Sequence, residues 1–137
     1  GLMPNKATFV SIISACSHAG LNNKGLECFV AMGSEYGLIP DLKHYGSVID
    51  LLGRAGDFKC IKNMLEAMPF EADVALWLCV LGACCTHGNM ELAKEAFHHA
   101  VKLQPKQGIS YVLMSNIYAN GNLFRCIDEK IPMLWAT

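Results

Sequence analysis

The 137-residue sequence lacks a marked excess of charge of either sign, and it lacks any long apolar run. Eleven lysines and arginines stand against 12 aspartates and glutamates, a net charge of -1, so no overall positive field attracts a polyanion from a distance. Charged residues and glycines interrupt the apolar stretches, which argues against a membrane-spanning helix. Any contact with nucleic acid must therefore be local, and we predict no membrane association.

The sequence also lacks the cysteine patterns of a disulfide framework or a metal site. Seven cysteines are an odd number and include no Cys-x-x-Cys pair, so we expect reduced thiols that pack as small apolar groups. A zinc deaminase requires His-x-Glu and Pro-Cys-x-x-Cys, and neither motif is present. Cys84, Cys85 and His87 are too few ligands for zinc. We predict no metal, no cofactor, no small-molecule substrate and no enzymatic activity.

What the sequence does contain is an internal repeat. An aromatic residue recurs at Phe9, Tyr45, Trp77 and Tyr111, with spacings of 36, 32 and 34 residues. A glycine follows each one ten or eleven residues later, at Gly20, Gly56, Gly88 and Gly121. A period of this length is typical of stacked helical hairpins, in which neighbouring repeats share one core.

Each aromatic residue opens a helical stripe, with apolar residues at i, i+3, i+4 and i+7 in the first three and at three of these four positions in the last. The stripes are Phe9, Ile12, Ile13, Cys16; Tyr45, Val48, Ile49, Leu52; Trp77, Val80, Leu81, Cys84; and Tyr111, Met114, Ser115, Tyr118. Asn5, Asp41 and Asp73 precede the first three stripes and are predicted N-caps.

A second helix is predicted after each glycine. The predicted N-caps are Asn22, Asp57, Asn89 and Asn122, because each closely follows its glycine. The apolar residues expected to pack back onto the first helices are Leu26, Phe29, Val30; Ile61, Met64, Leu65; and Leu92, Ala96, Phe97. The pattern predicts an all-α, right-handed α-α superhelix, a solenoid of four helix-turn-helix repeats.

These residues resemble a known family. Thr8-Phe9-Val10 with Ser14-Ala15-Cys16-Ser17-His18-Ala19-Gly20 is similar to the long-type motif of plant pentatricopeptide repeat proteins of the PLS subclass. His44-Tyr45, Val48 to Gly56 and Met68-Pro69 resemble the short-type motif. Trp77, Leu81-Gly82-Ala83-Cys84 and His87-Gly88-Asn89 look like a first E motif, and Ser115-Asn116-Ile117-Tyr118-Ala119 like a second.

The resemblance implies a division of the chain. Residues 1–5 end a preceding repeat, 6–41 form a long-type repeat, 42–73 a short-type repeat, 74–107 the first E motif and 108–137 the second. The resemblance fails after about residue 124, where Pro132 would interrupt a helix, so the last hairpin is expected to be incomplete or divergent. Trp135 is a candidate cap for the exposed apolar edge.

The resemblance further implies a role as a specificity factor in organellar RNA editing, in a mitochondrion or chloroplast, although no stretch of this sequence resembles a transit peptide. In this family, repeats contact single-stranded RNA through the residue after the first-helix aromatic and the last residue of the repeat. The implied pairs are Val10 with Asp41, Gly46 with Asp73, and Leu78 with Gln107. The partners that the family implies are a cytidine deaminase domain, in cis or in trans, and multiple organellar RNA editing factors.

The implied RNA contact is weak, because Val10, Gly46, Leu78 and Val112 offer no side-chain donor or acceptor to a base. Arg54, Lys59 and Lys62 form a local basic cluster that could contact phosphates, or could simply be solvated. Leu78, Gln107 and Val112 are candidates for a protein-binding strip, with completion of the apolar seam as the alternative for Leu78 and Val112. The competing interpretation of the whole chain is a protein-interaction solenoid resembling tetratricopeptide repeats, without RNA binding.

Overall fold

The computed structural model describes residues 3–106 and 108–120, and these form α-helices without any β-strand. The helices are α1 Lys6–Ala19, α2 Asn22–Ser34, α3 Leu42–Ala55, α4 Phe58–Ala67, α5 Val74–His87, α6 Met90–Leu103 and α7 Gly108–Asn120. The predicted all-α class of tandem helical hairpins is therefore confirmed. Gly121, Asn122 and Trp135, on which the fourth hairpin's second helix and the terminal cap were predicted, lie outside the described residues.

The chain divides after Ala72 into two compact units. The first unit contains α1 to α4, in which α1 packs against both α2 and α3, and α3 packs against α4. The second contains α5 to α7, in which each helix packs against the other two. Within each unit, successive hairpins thus share one core, as the repeat predicts.

Glycines and polar caps determine where the helices end and begin. Gly20, Gly56 and Gly88 adopt the left-handed conformation with φ of 74°, 75° and 74°, which a residue with a side chain rarely adopts. Asn5, Asp41, Asp73, Asp57 and Asn89 accept hydrogen bonds from amides of the following turn, as predicted for all five. These signals are local, so the sequence alone identifies them.

The predicted cap at Asn22 is wrong. α2 begins at Asn22, and its N-cap residue is Leu21, whose side chain makes no capping hydrogen bond. Leu21 directly follows the left-handed glycine, as Asp57 and Asn89 do, and shares their backbone conformation near φ -89°. Asn22 is therefore one residue too late to cap the helix.

The core of each unit consists mainly of the predicted stripes. Trp77, Val80, Leu81 and Cys84 are all buried, and so are Val48, Ile49 and Leu52, whereas Ile12 is 39% exposed. Leu92, Ala96 and Phe97 of α6 are buried as predicted. Aromatic side chains of second helices contact first-helix aromatics. The ring centroids are 5.2 Å apart for Phe29 and Tyr45 and 5.4 Å apart for Phe97 and Tyr111.

The predicted packing of Val30 is wrong, because this side chain is 64% exposed. α2 buries Gly25 and Met32 instead, which lie about 140–160° around the helix from Val30. Gly25 permits the close approach: a Cβ there would lie 3.0 Å from Leu51 Cδ2 and 3.3 Å from Cys16 Cβ. The helix is thus oriented by a residue without a side chain.

Supplying the missing cap should stabilise the first unit. We expect Leu21→Asn to raise the free energy of unfolding by about 1 kcal/mol, since the new side chain can accept a first-turn amide at an exposed site. Asp57→Ala, which removes an existing cap from the equivalent position, should lower it by about the same amount. Urea unfolding followed by circular dichroism measures both. An unchanged or lowered stability of Leu21→Asn would contradict the assignment of Leu21 as N-cap.

Two glycines of α2 offer a matched test of the packing. Gly25→Ala is expected to destabilise by about 1–3 kcal/mol, because its Cβ would press on buried Leu51. Gly33→Ala, where the nearest atom is Leu38 O at 3.8 Å, should stabilise by about 0.5–1 kcal/mol through helix propensity. Equal effects of the two substitutions in urea melts would show that Gly25 is not a point of close approach.

Candidate nucleic-acid and partner interface

The residues that follow the first-helix aromatics occupy equivalent positions near the start of each first helix. Val10, Gly46 and Leu78 are half-buried in α1, α3 and α5, and Val112 of α7 is 54% exposed. None of the four side chains carries a hydrogen-bonding group. Gln107 lies outside the described residues. Any side-chain hydrogen bond to a ligand at these positions must therefore come from neighbouring residues.

Asp41 and Asp73 lie at the N-termini of α3 and α5, where one oxygen of each is used for capping. Asp41 Oδ1 accepts from the Lys43 amide at 3.0 Å, and Asp73 Oδ1 accepts from the Leu76 amide at 2.9 Å. The side chain of Asp41 remains 50% exposed. Asp41 can therefore cap α3 and still accept a hydrogen bond from a ligand at the exposed part of its carboxylate.

The environment of Asp41 keeps its carboxyl ionised. Partial burial acts to raise the pKa of Asp41, but the charge of His44 and hydrogen bonds from His44 and the Lys43 amide outweigh it, so the pKa lies below its ordinary value. An ionised carboxylate accepts hydrogen bonds and donates none. Asp41 can therefore offer only acceptor oxygens to a base edge.

Sequence reasoning missed His44, a fully buried polar residue that connects α3 to α1. Its Nε2 lies 2.9 Å from the Lys6 carbonyl oxygen and must donate to it, since a carbonyl only accepts. Its Nδ1 lies 2.8 Å from Asp41 Oδ1 and 3.1 Å from the Asp41 amide nitrogen. His44 thereby joins the first turn of α1, one turn before Val10, to Asp41. The signal was a histidine three residues after a predicted cap, the spacing of a capping box.

A row of polar contacts crosses from α1 to α3. Ser17 Oγ donates to Asp50 Oδ2 at 2.7 Å, and Arg54 Nε donates to the same oxygen at 3.2 Å. Ser14 and Ser47 hydroxyls lie 3.3 Å apart one turn earlier. The predicted basic cluster is therefore not uniform: Arg54 forms an ion pair on its own helix, whereas Lys59 and Lys62 are exposed on α4.

In the second unit a thiol forms the hydrogen bond between neighbouring first helices. The Cys85 thiol donates to the Leu113 carbonyl oxygen at 2.9 Å, between α5 and α7. Burial raises the pKa of the Cys85 thiol and raises that of Cys84 to about 12. Both thiols are therefore protonated near neutral pH and poor nucleophiles. Leu78 lies about two turns before Cys85 on α5, and Val112 directly precedes Leu113 on α7.

The described part of the chain has no candidate membrane span and no candidate metal cluster. No helix in it is long and apolar enough to cross a membrane. No three histidine, cysteine, aspartate or glutamate side chains come together there in a way that could hold a metal ion.

The chain is similar in sequence to known pentatricopeptide repeat proteins. The family model for the PPR repeat matches residues 7–35 and 75–103. An Arabidopsis thaliana pentatricopeptide repeat-containing protein is 44% identical over 128 residues, 93% of this chain and 21% of the relative. Two more from the same plant, one named mitochondrial and one chloroplastic, are 48% and 45% identical over 120 residues, each over 88% of this chain and 19% of the relative. The chain thus spans about a fifth of the length of the curated relatives it matches.

Proposed function

Because this chain carries pentatricopeptide repeats, we propose that it is the part of an organellar C-to-U RNA-editing specificity factor that binds partner proteins and contributes weakly to recognition of single-stranded RNA. In this proposal a long-type and a short-type repeat are followed by two E motifs. The observation that carries it is the contrast between the two units. In the first unit the half-exposed carboxylate of Asp41 is held by the buried His44, whereas in the second unit the exposed side chain of Val112 offers an apolar contact.

The weak RNA contact follows from the chemistry of the first unit. Asp41 is the polar member of its pair, and Val10 contributes no hydrogen bond to a base. Arg54 is already paired with Asp50, which lowers its availability to a phosphate. Lys59 and Lys62 are exposed on one side of α4 and are the cations of this cluster that a phosphate backbone can reach.

The partner-binding role is supported by the second unit. Leu78 and Val112 stand on α5 and α7, which pack directly against each other. Val112 is 54% exposed, so its apolar side chain is accessible to a partner. In the proposal this strip contacts multiple organellar RNA editing factors or a cytidine deaminase domain, supplied in cis or in trans. The chain itself positions these proteins and performs no chemistry.

We place this activity in a mitochondrion or a chloroplast. The support is that relatives 41–48% identical to this chain carry one or the other organelle in their names.

The second candidate function is that of a protein-interaction solenoid without RNA binding. One observation favours it: none of Val10, Gly46, Leu78 and Val112 can form a side-chain hydrogen bond to a base. The two candidates differ in whether the exposed lysines of α4 contact phosphates.

The experiment is fluorescence anisotropy of labelled single-stranded RNA titrated with the chain at several salt concentrations. We expect Lys59→Ala/Lys62→Ala to weaken binding and to reduce the slope of log K against log salt by about 1.4, because two phosphate contacts on a single strand are lost. Lys94→Ala/Lys102→Ala removes the same charge from exposed sites on α6 and should leave the slope unchanged. Leu78→Asp should likewise preserve RNA affinity while abolishing pull-down of an editing factor.

Two outcomes would decide against the proposal. Absence of salt-dependent RNA binding by the unmodified chain would favour the interaction solenoid. Equal loss of affinity in the α4 and α6 variants would mean that net charge alone, and not the α4 surface, determines binding.

A further inference from the structure

The outer face of α2 carries apolar side chains where the other second helices carry charged or polar ones. Counted from the left-handed glycine, the sixth and tenth residues are Leu26 and Val30 in α2. The equivalent residues are Lys62 and Glu66 in α4, and Lys94 and His98 in α6. All four of these equivalents are exposed. These two positions thus face solvent in the other described second helices, and only α2 has apolar residues at both of them.

Tandem packing does not cover this face. Val30 is 64% exposed although the following hairpin, α3 and α4, packs in the same unit. Lys62 and Glu66 of α4 are exposed although a hairpin, α1 and α2, precedes them there. Neither a preceding nor a following repeat therefore occupies the equivalent position. The occupant of the apolar face is therefore not an adjacent repeat.

The face is a shallow, open groove along α2 that carries two glutamates. It has a volume of about 630 Å³, and its lining residues are Leu26, Glu27, Cys28, Val30, Ala31, Ser34 and Glu35. Leu26 and Val30 are one turn apart and form its apolar floor, together with Ala31. Glu27 and Glu35 are exposed and are the charged residues of the lining. Burial raises the pKa of the Cys28 thiol, so that side chain adds no negative charge near neutral pH.

We propose that this groove, in which Glu27 and Glu35 stand among the apolar residues Leu26, Val30 and Ala31, binds an amphipathic helix of a partner protein whose apolar stripe is flanked by lysine or arginine. An apolar stripe in a shallow groove is the usual way in which one helix recognises another, and flanking charges of opposite sign orient it. A second copy of this chain fits poorly, because a symmetric contact would bring Glu27 and Glu35 of both copies together. The proposed site is separate from the Leu78 and Val112 strip and does not depend on RNA binding.

The test uses two labelled peptides of about 18 residues, long enough for five helical turns. Both have a leucine stripe at helical spacing, flanked by lysines in one peptide and by glutamates in the other. Fluorescence anisotropy with the whole chain should give a dissociation constant at least about tenfold lower for the lysine peptide. Leu26→Lys/Val30→Glu, which installs the residues of α4, should weaken lysine-peptide binding about tenfold or more.

Two controls separate the groove from general effects of charge and folding. Val30→Glu alone changes a single exposed residue and should weaken binding with an unchanged circular dichroism spectrum. His98→Glu places the same side chain at the equivalent exposed position of α6, and we expect lysine-peptide binding to be unaffected. Glu27→Gln/Glu35→Gln should weaken binding and reduce its dependence on salt.

Three results would overturn the proposal. The lysine peptide could bind the unmodified chain and Leu26→Lys/Val30→Glu equally well. The two peptides could bind with equal affinity. Light scattering could show a dimer of the free chain that the same double substitution dissociates, which would identify a second copy as the occupant.

Discussion

The packing of one first helix against the next is the interaction on which the rest of the structure depends. In the first unit α1 contacts α3 as extensively as it contacts α2, its own hairpin partner, and in the second unit α5 contacts both α6 and α7. A single hairpin of some 35 residues cannot bury enough apolar surface to be stable by itself. The buried side chains of Ile13, Val48 and Leu52 therefore belong to two hairpins at once. Everything that the chain presents to a partner is positioned by this shared core.

The same contact determines the geometry of the candidate sites. Because α1 and α3 lie side by side, His44 can reach the Lys6 carbonyl from α3, and Ser17 can reach Asp50. Both connections place polar groups across the junction of two repeats, where an apolar stripe alone would leave the helix rotation less defined. In the second unit a thiol takes this place, with Cys85 donating to Leu113, and the neighbouring surface is apolar. The two units thus offer different chemistry on one repeated framework.

Local signals allowed much of the fold to be predicted. A left-handed glycine or a capping aspartate acts within one turn of the chain, so Gly56 and Asp57 are recognisable without knowledge of the packing. The errors occurred where packing decides. Asn22 is not the cap, because the N-cap position of α2 falls one residue earlier, on Leu21. Val30 is exposed because Gly25 lets α3 approach α2 on another face. The contact of His44 with the Lys6 carbonyl was missed because a partner on another helix leaves no trace in the local sequence.

The central claim is that hairpins of one unit are stable only together, and native-state hydrogen exchange of the whole chain carrying Val48→Ala tests it most directly. Val48 lies in α3 and is fully buried. If the core is shared, the amides of α1 should lose the same free energy of protection as those of α3, since both open in one cooperative unit. Loss of protection confined to α3 and α4, with α1 and α2 unchanged, would contradict the account.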